Sequence, residues 1–180
     1  QYKDHIVGFK VAHFSGPEWI PVDRAVEAGR QANLPVMIDF GGNNPPLSIE
    51  ELYMKHLRPG DIYTHTYTLL EGNVRETVVD EATGKAGFYP NTISTDLHTG
   101  SMNASMKDQL AVMSKFLLMG MDLQSVIKAS TWAPAQVIKR EELGNLSAGA
   151  IADIAILNLR QGNFGFYDKT GYKLEGKQNF

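Results

Sequence analysis

Four ionisable residues stand at or near the ends of short apolar runs. Lys10 lies inside residues 6–11, Asp39 closes residues 34–39, His65 closes residues 61–65, and Asp96 follows residues 92–95. In parallel α/β folds the C-terminal strand ends line the active site, because the loops leading into the helices open there. Carboxylate oxygen and neutral imidazole are donors that suit a divalent cation, and Asp and His supply them. An aspartate beside such a site can take a proton from water and pass it to a leaving amine. A lysine is out of place beside a cation unless carbon dioxide converts its amine to an anionic carbamate.

Each residue also has an ordinary reading. Lys10 can snorkel its amine out of a strand. His65 can be a hydrogen-bonded core histidine, Asp96 can cap the following turn, and Asp39 can form the turn before Gly41 and Gly42. His5, His13, His56 and His98 read as surface or loop residues. The recurrence of Lys10, His65 and Asp96 at corresponding strand ends favours a metal or catalytic site over three separate coincidences.

The elements that must carry these residues follow from periodicity. Residues 6–11, 34–39 and 61–65 read as strands. Residues 21–32 place Val22, Ala25, Val26, Gly29 and Ala32 on one helical face. Ser48, with Glu51 three residues on, opens a second helix to about residue 57. Strand, helix, strand, helix, strand is the signature of βα units around a parallel sheet. Residues 69–86 show no clear period. Residues 92–95 read as a further strand, and 106–119, 123–130 and 134–139 as helices. From residue 146 a turn feeds an alternating, β-rich run that ends at Leu157. A module boundary is expected near residues 140–144, giving 1–143 and 144–180.

The totals narrow the function classes. The chain has 180 residues, is 43% hydrophobic and carries a net charge of −3, with a pI near 5.9. Without a basic stripe, nucleic acid is not an expected partner. No apolar run reaches the length of a membrane span. The absence of cysteine excludes a disulfide framework and a thiolate metal site. It leaves the compartment open, with the cytoplasm favoured. The start lacks Met and reads as the approach to a strand, as if the chain began mid-protein.

The stretches IVGFKVAHFSG, RPGDIYTH, ISTDLHTGSMN and STWAPAQVIKREELGNLSAGAIADIAIL together resemble the amidohydrolase superfamily, in its dihydroorotase-like amidohydrolase/deacetylase branch. The resemblance implies an α/β fold. It would be a partial (β/α)8 TIM-type barrel over residues 1–143, followed by part of a small β-sandwich over 144–180. It implies one or two divalent metals, zinc above all. Lys10 matches a carboxylated bridging lysine, His65 a ligand histidine at the end of the fifth barrel strand, and Asp96 a metal ligand that is also the general acid/base. His98, Thr99, Gly100 and His13 would face substrate. Asp153 matches a structural aspartate in the return to the sandwich.

Three departures accompany the resemblance. The family's His-x-His pair is absent, because the first three barrel strands would precede Gln1. A ligand histidine on the sixth strand is not found. Only thirty residues separate His65 from Asp96, and a junction across a lost segment is expected at Ala86 and Gly87. Asp39 stands where many relatives have His, and no metal role is assigned to it.

The implied activity is metal-dependent hydrolysis of an amide, cyclic amide or acetyl ester bond. Metal-bound hydroxide would attack the carbonyl, with Asp96 shuttling the proton. The partner would be a small-molecule substrate, and self-association into a homo-oligomer stays open. The alternative is a non-catalytic remnant that serves as a binding module. With three of the expected ligands absent, the chain alone is expected to be inactive, and because a partial barrel leaves strand edges unpaired it is expected to be unstable or prone to aggregate. A sugar or phosphate binder is disfavoured, since Gly41 and Gly42 lead into prolines and not directly into a helix.

Overall fold

The computed structural model describes residues 2, 5–39, 42–65, 89–103, 106–167 and 171–180. The junction expected at Ala86 and Gly87 lies outside these residues, as does the aperiodic stretch before it. The chain packs as two compact units, Gln1–Ala82 with Val137–Lys139, and Thr83–Gln136 with Arg140–Phe180.

The first unit runs β1 (Phe9–Val11), α1 (Ile20–Ala32), β2 (Val36–Ile38), α2 (Ile49–Glu51) and β3 (Ile62–Tyr63). A single π-helical turn, Leu52–His56, continues α2. Ser48 caps α2 by accepting from the Glu51 N–H, as the capping-box spacing predicts. The three strands are parallel and lie in the order β1-β2-β3. The helix-facing side of this sheet is apolar. Val22, Val36, Ile38 and Leu52 form its buried core, with Phe9, Val11, Ala25 and Tyr63 packed around them. Each such buried side chain contributes roughly 1.5–3 kcal/mol. α1 sits close to the sheet because residue 29 is glycine. A Cβ there would lie 2.6 Å from Val36 Cγ2 and 2.9 Å from the Leu34 carbonyl. The opposite side carries Lys10, Met37 and Ile62, which line a cavity of about 180 Å³ with Ile138.

A buried ion pair fixes where β3 meets β2. The Asp61 side chain is 1% exposed. Its Oδ1 accepts from the Val36 N–H at 2.9 Å and from Arg58 Nη2 at 2.7 Å, and its Oδ2 accepts from the Arg58 N–H and Nε. Arg58 Nη2 also donates to the Leu34 carbonyl. One carboxylate therefore ties the turn after α2 to the first residue of β2.

The second unit contains α3 (Thr99–Asn103), α4 (Gln109–Leu118), α5 (Leu123–Ser130), α6 (Trp132–Val137), β4 (Arg160–Tyr167) and β5 (Lys173–Asn179). Asp108 and Asp122 cap α4 and α5 through the N–H groups three residues on. β4 and β5 form an antiparallel hairpin. Its end is anchored to α4, since buried Ser114 accepts from the Phe180 N–H and donates to the Leu110 carbonyl.

Two expected strands are not strands. Residues 92–95 form no ladder, and Ile93 is held by its N–H donating to the Ala129 carbonyl at 2.8 Å. Residues 151–157 alternate as a strand should, yet Ile154 is 66% and Ile156 97% exposed, and no ladder forms. Alternation makes a segment ready for a sheet, but a strand exists only where a partner meets its N–H and C=O groups. The α/β class holds. Among the described residues the parallel sheet does not close into a barrel.

Two substitutions test this account. Gly29→Ala should lower stability by about 1–3 kcal/mol in urea unfolding, because backbone and Val36 must move aside. Asp61→Asn should cost about 3 kcal/mol by stranding Arg58. Burial by itself raises the Asp61 pKa, but the bonds from Arg58 and Val36 more than reverse this, so the carboxyl titrates below its ordinary range. The pair's contribution is therefore complete above the unfolded carboxylate pKa and is lost as pH falls through the folded one. Urea midpoints followed from neutral to acidic pH should drop further in the native chain than in Asp61→Asn.

Candidate functional site

The hydrogen-bond ladder of the first unit runs beyond its short strands. The Asp39 N–H donates to the Val11 carbonyl at 3.0 Å, and the Thr64 N–H to the Ile38 carbonyl at 3.1 Å. These bonds lay the C-terminal ends of β1, β2 and β3 side by side. Lys10 pairs in register with Met37, and strand alternation puts Asp39, two residues on, on the same side of the sheet.

Asp39 is the hub of this edge. Its side chain is 11% exposed, and three basic groups face it: His65 Nδ1 at 2.9 Å from Oδ1, and Lys10 Nζ and His13 Nδ1 each at 3.9 Å from Oδ2. The loop after β1 is tied to the loop after β2 through Asn43, whose Nδ2 donates to the Phe14 and Gly16 carbonyls. Of the residues expected here, Lys10, His65 and His13 gather around Asp39, which the sequence reading had assigned to a turn. His13 remains an exposed loop residue as well, at 90%. His56 is not a surface residue. It is half-buried, stacks on Trp19 at 4.2 Å and meets Asp23 Oδ1 at 2.5 Å.

Lys10, Asp39 and His65 thus stand at the ends of three successive parallel strands. Their spacing of one βα unit each is readable from the sequence and marks Asp39 as a member of the same set.

Asp96, His98, Thr99 and Gly100 belong to the second unit. Asp96 is exposed. Its carbonyl accepts from His98 Nδ1 at 2.8 Å and from Ser101 Oγ at 3.4 Å. The His98 N–H is held by Ser101 Oγ at 2.9 Å. Thr99 and Gly100 open α3. The turn after Asp96 is therefore locked by its own polar groups.

Left-handed backbone occurs at three of these residues and, among the described residues, also at Asn33, Lys107 and Lys139. His13, His65 and Asp96 have φ of 54°, 60° and 44°. Left-handed backbone costs an L-residue roughly 1–2 kcal/mol, and such strain concentrates at functional sites. Asn33, at 55°, is accounted for as the C-cap of α1; the three candidates follow no helix end.

The donor chemistry around Asp39 does not by itself fit a resident metal ion. It offers one carboxylate with the imidazoles of His65 and of exposed His13, and the Lys10 ammonium on the same carboxylate would repel a cation. Among the described residues no three His, Cys, Asp or Glu side chains converge as a metal site would need.

Comparison with known proteins places this geometry in context. The amidohydrolase family profile matches residues 73–176, more than half of the chain. A deacetylase of Brucella anthropi is 31% identical, over 93% of this chain and 49% of its own length. A deacetylase of Agrobacterium fabrum is 29% identical over the same shares. The chain thus spans about half the length of the curated relatives it matches. The alignments run over 201 positions against the 180 of this chain, so each relative has internal positions with no counterpart here. A dihydroorotase crystal structure superposes with a TM-score of 0.78 at 27% identity, covering 98% of this chain and 56% of that one. An adenine deaminase shares the fold, with a TM-score of 0.83 at 20% identity over 99% and 57%.

The strain at Asp96 makes a testable prediction. Asparagine accepts left-handed backbone readily and valine does not. Asp96→Asn should melt with the native chain, and Asp96→Val should be less stable by about 1–2 kcal/mol.

Proposed function

This chain belongs to the amidohydrolase family, and we propose that it is part of a hydrolase of carbon–nitrogen bonds, of deacetylase or cyclic-amidase type, with acetyl esters as further candidate substrates. The observation that carries this reading is the coincidence of family and geometry. Two of the residues that the resemblance assigns to chemistry, His65 and Asp96, are among the six described non-glycine residues with left-handed backbone, and Lys10 stands beside His65 at the same sheet edge. The first unit is read as an arc of the family's barrel, and residues from about 144 as a contribution to a sandwich.

Asp96 is read as the proton carrier. Its carboxylate takes a proton as water attacks the carbonyl and returns it to the departing nitrogen. Lys10 and His65 are read as polar groups of the strand ends. The family generally uses divalent metals. Zinc and a carboxylated Lys10 are the specific forms proposed for the protein that carries this chain, and a full ligand set would need donors beyond the Asp39–His65 pair.

A second reading is favoured by that incomplete donor set and by the relatives' unmatched positions: a catalytically silent remnant that binds small molecules. Metal uptake and turnover separate the two. The 180-residue chain should take up less than one equivalent of zinc by calorimetry. In the protein that carries it, metal-loaded and assayed with N-acetylated and cyclic amides, Asp96→Asn should lower kcat by roughly 10²–10⁴ with KM little changed. Undiminished turnover would remove Asp96 from the mechanism. No hydrolysis by the metal-loaded native protein would favour the remnant.

A further inference from the structure

The surroundings of His65 decide which of its nitrogens is available. Nδ1 lies 2.9 Å from Asp39 Oδ1 and 2.7 Å from Thr64 Oγ1. A carboxylate oxygen can only accept. A bare lone pair on Nδ1 would face it in repulsion, whereas a proton there turns the same approach into a charge-assisted attraction. The Thr64 hydroxyl is consistent with this. It reaches both the Ile38 carbonyl at 3.3 Å and Nδ1 at 2.7 Å, and with a proton on Nδ1 it donates to the first and accepts from the second. Both neighbours of Nδ1 then act as acceptors.

We infer that Asp39 is a positioning residue that fixes His65 as the Nδ1–H tautomer and leaves Nε2 with the lone pair, so that His65 acts through Nε2. Asp39 is suited to this because its two oxygens face different partners. Oδ1 meets His65, while Oδ2 faces Lys10 and His13. These outer partners leave free the oxygen that faces the imidazole. The His65 side chain is 26% exposed, so the ring is partly open to solvent. A carboxylate that orients an imidazole in this way sets the direction of the other nitrogen. Thr64, whose N–H and hydroxyl both bond the Ile38 carbonyl, fixes the position of the ring. The inference concerns the tautomer of His65 and stands whichever bond the protein hydrolyses.

Nitrogen-15 NMR reads the tautomer directly. The uniformly labelled 180-residue chain is recorded at mildly alkaline pH with long-range proton–nitrogen correlation. His65 is assigned as the resonance lost in His65→Gln. The expected pattern is a protonated, pyrrole-type Nδ1 and a pyridine-type Nε2. In Asp39→Ala the population should move toward Nε2–H, the form favoured in water, while Thr64→Val should retain Nδ1–H. A pyridine-type Nδ1 in the native chain overturns the inference, and this holds even if Asp39→Ala does not fold. A folded Asp39→Ala with the native pattern, or a switch caused by Thr64→Val and not by Asp39→Ala, overturns the role given to Asp39.

Discussion

The first unit depends on one buried carboxylate. Asp61 receives the Val36 N–H at the start of β2, and it receives Arg58 through both backbone and side chain. β2 has three residues and β3 two, so their own ladder offers little to define register. A slip of one residue would turn every side chain to the opposite face. Asp61 pins the entry of β3 to the entry of β2. The exits then follow, with Thr64 bonded to the Ile38 carbonyl and His65 beside Asp39. A structural ion pair at one end of the sheet thereby sets the polar cluster at the other.

The two faces of that sheet have different chemistry because the strand period is two. Phe9, Val11, Val36, Ile38 and Tyr63 meet the helices and supply the burial. Lys10, Met37 and Ile62 face the other way, around a cavity. On that second face a lysine needs a counter-charge, and Asp39 supplies it at 3.9 Å. His65 approaches the same carboxylate only because its backbone turns into left-handed conformation at the end of β3. The energy of that turn is set against the contact with Asp39 and the bond with Thr64.

In the second unit local bonds, and not a sheet, hold Asp96. Asp96 stands in left-handed backbone, followed by a turn in which Ser101 and His98 satisfy one another and the Asp96 carbonyl. Ile93, three residues earlier, is buried and held to Ala129. The carboxylate is thus carried on a short rigid arch, anchored on one side by a buried isoleucine and on the other by α3.

Much of this was legible in the sequence by itself. Apolar periodicity located α1, α4 and α5, the Ser48 cap opened α2, and the strand–helix alternation gave a parallel α/β sheet, because these features follow from local sterics and side-chain spacing. The motifs around Lys10, His65 and Asp96 pointed to the amidohydrolase family for a similar reason: a chemical site constrains residue type at fixed positions. Asp39 reads in the sequence as a turn former, and the three basic groups that meet its side chain come from residues far along the chain or across a loop, which only the fold brings together. Residues 151–157 and 92–95 have the pattern of strands and no ladder, because pairing belongs to the partner and not to the segment. The sequence determined which segments could be helix or strand and which residues could do chemistry. The tertiary structure alone decided which strand followed which, which face each side chain took and which acid met which base. Those are contacts between residues distant along the chain, and no local preference encodes them.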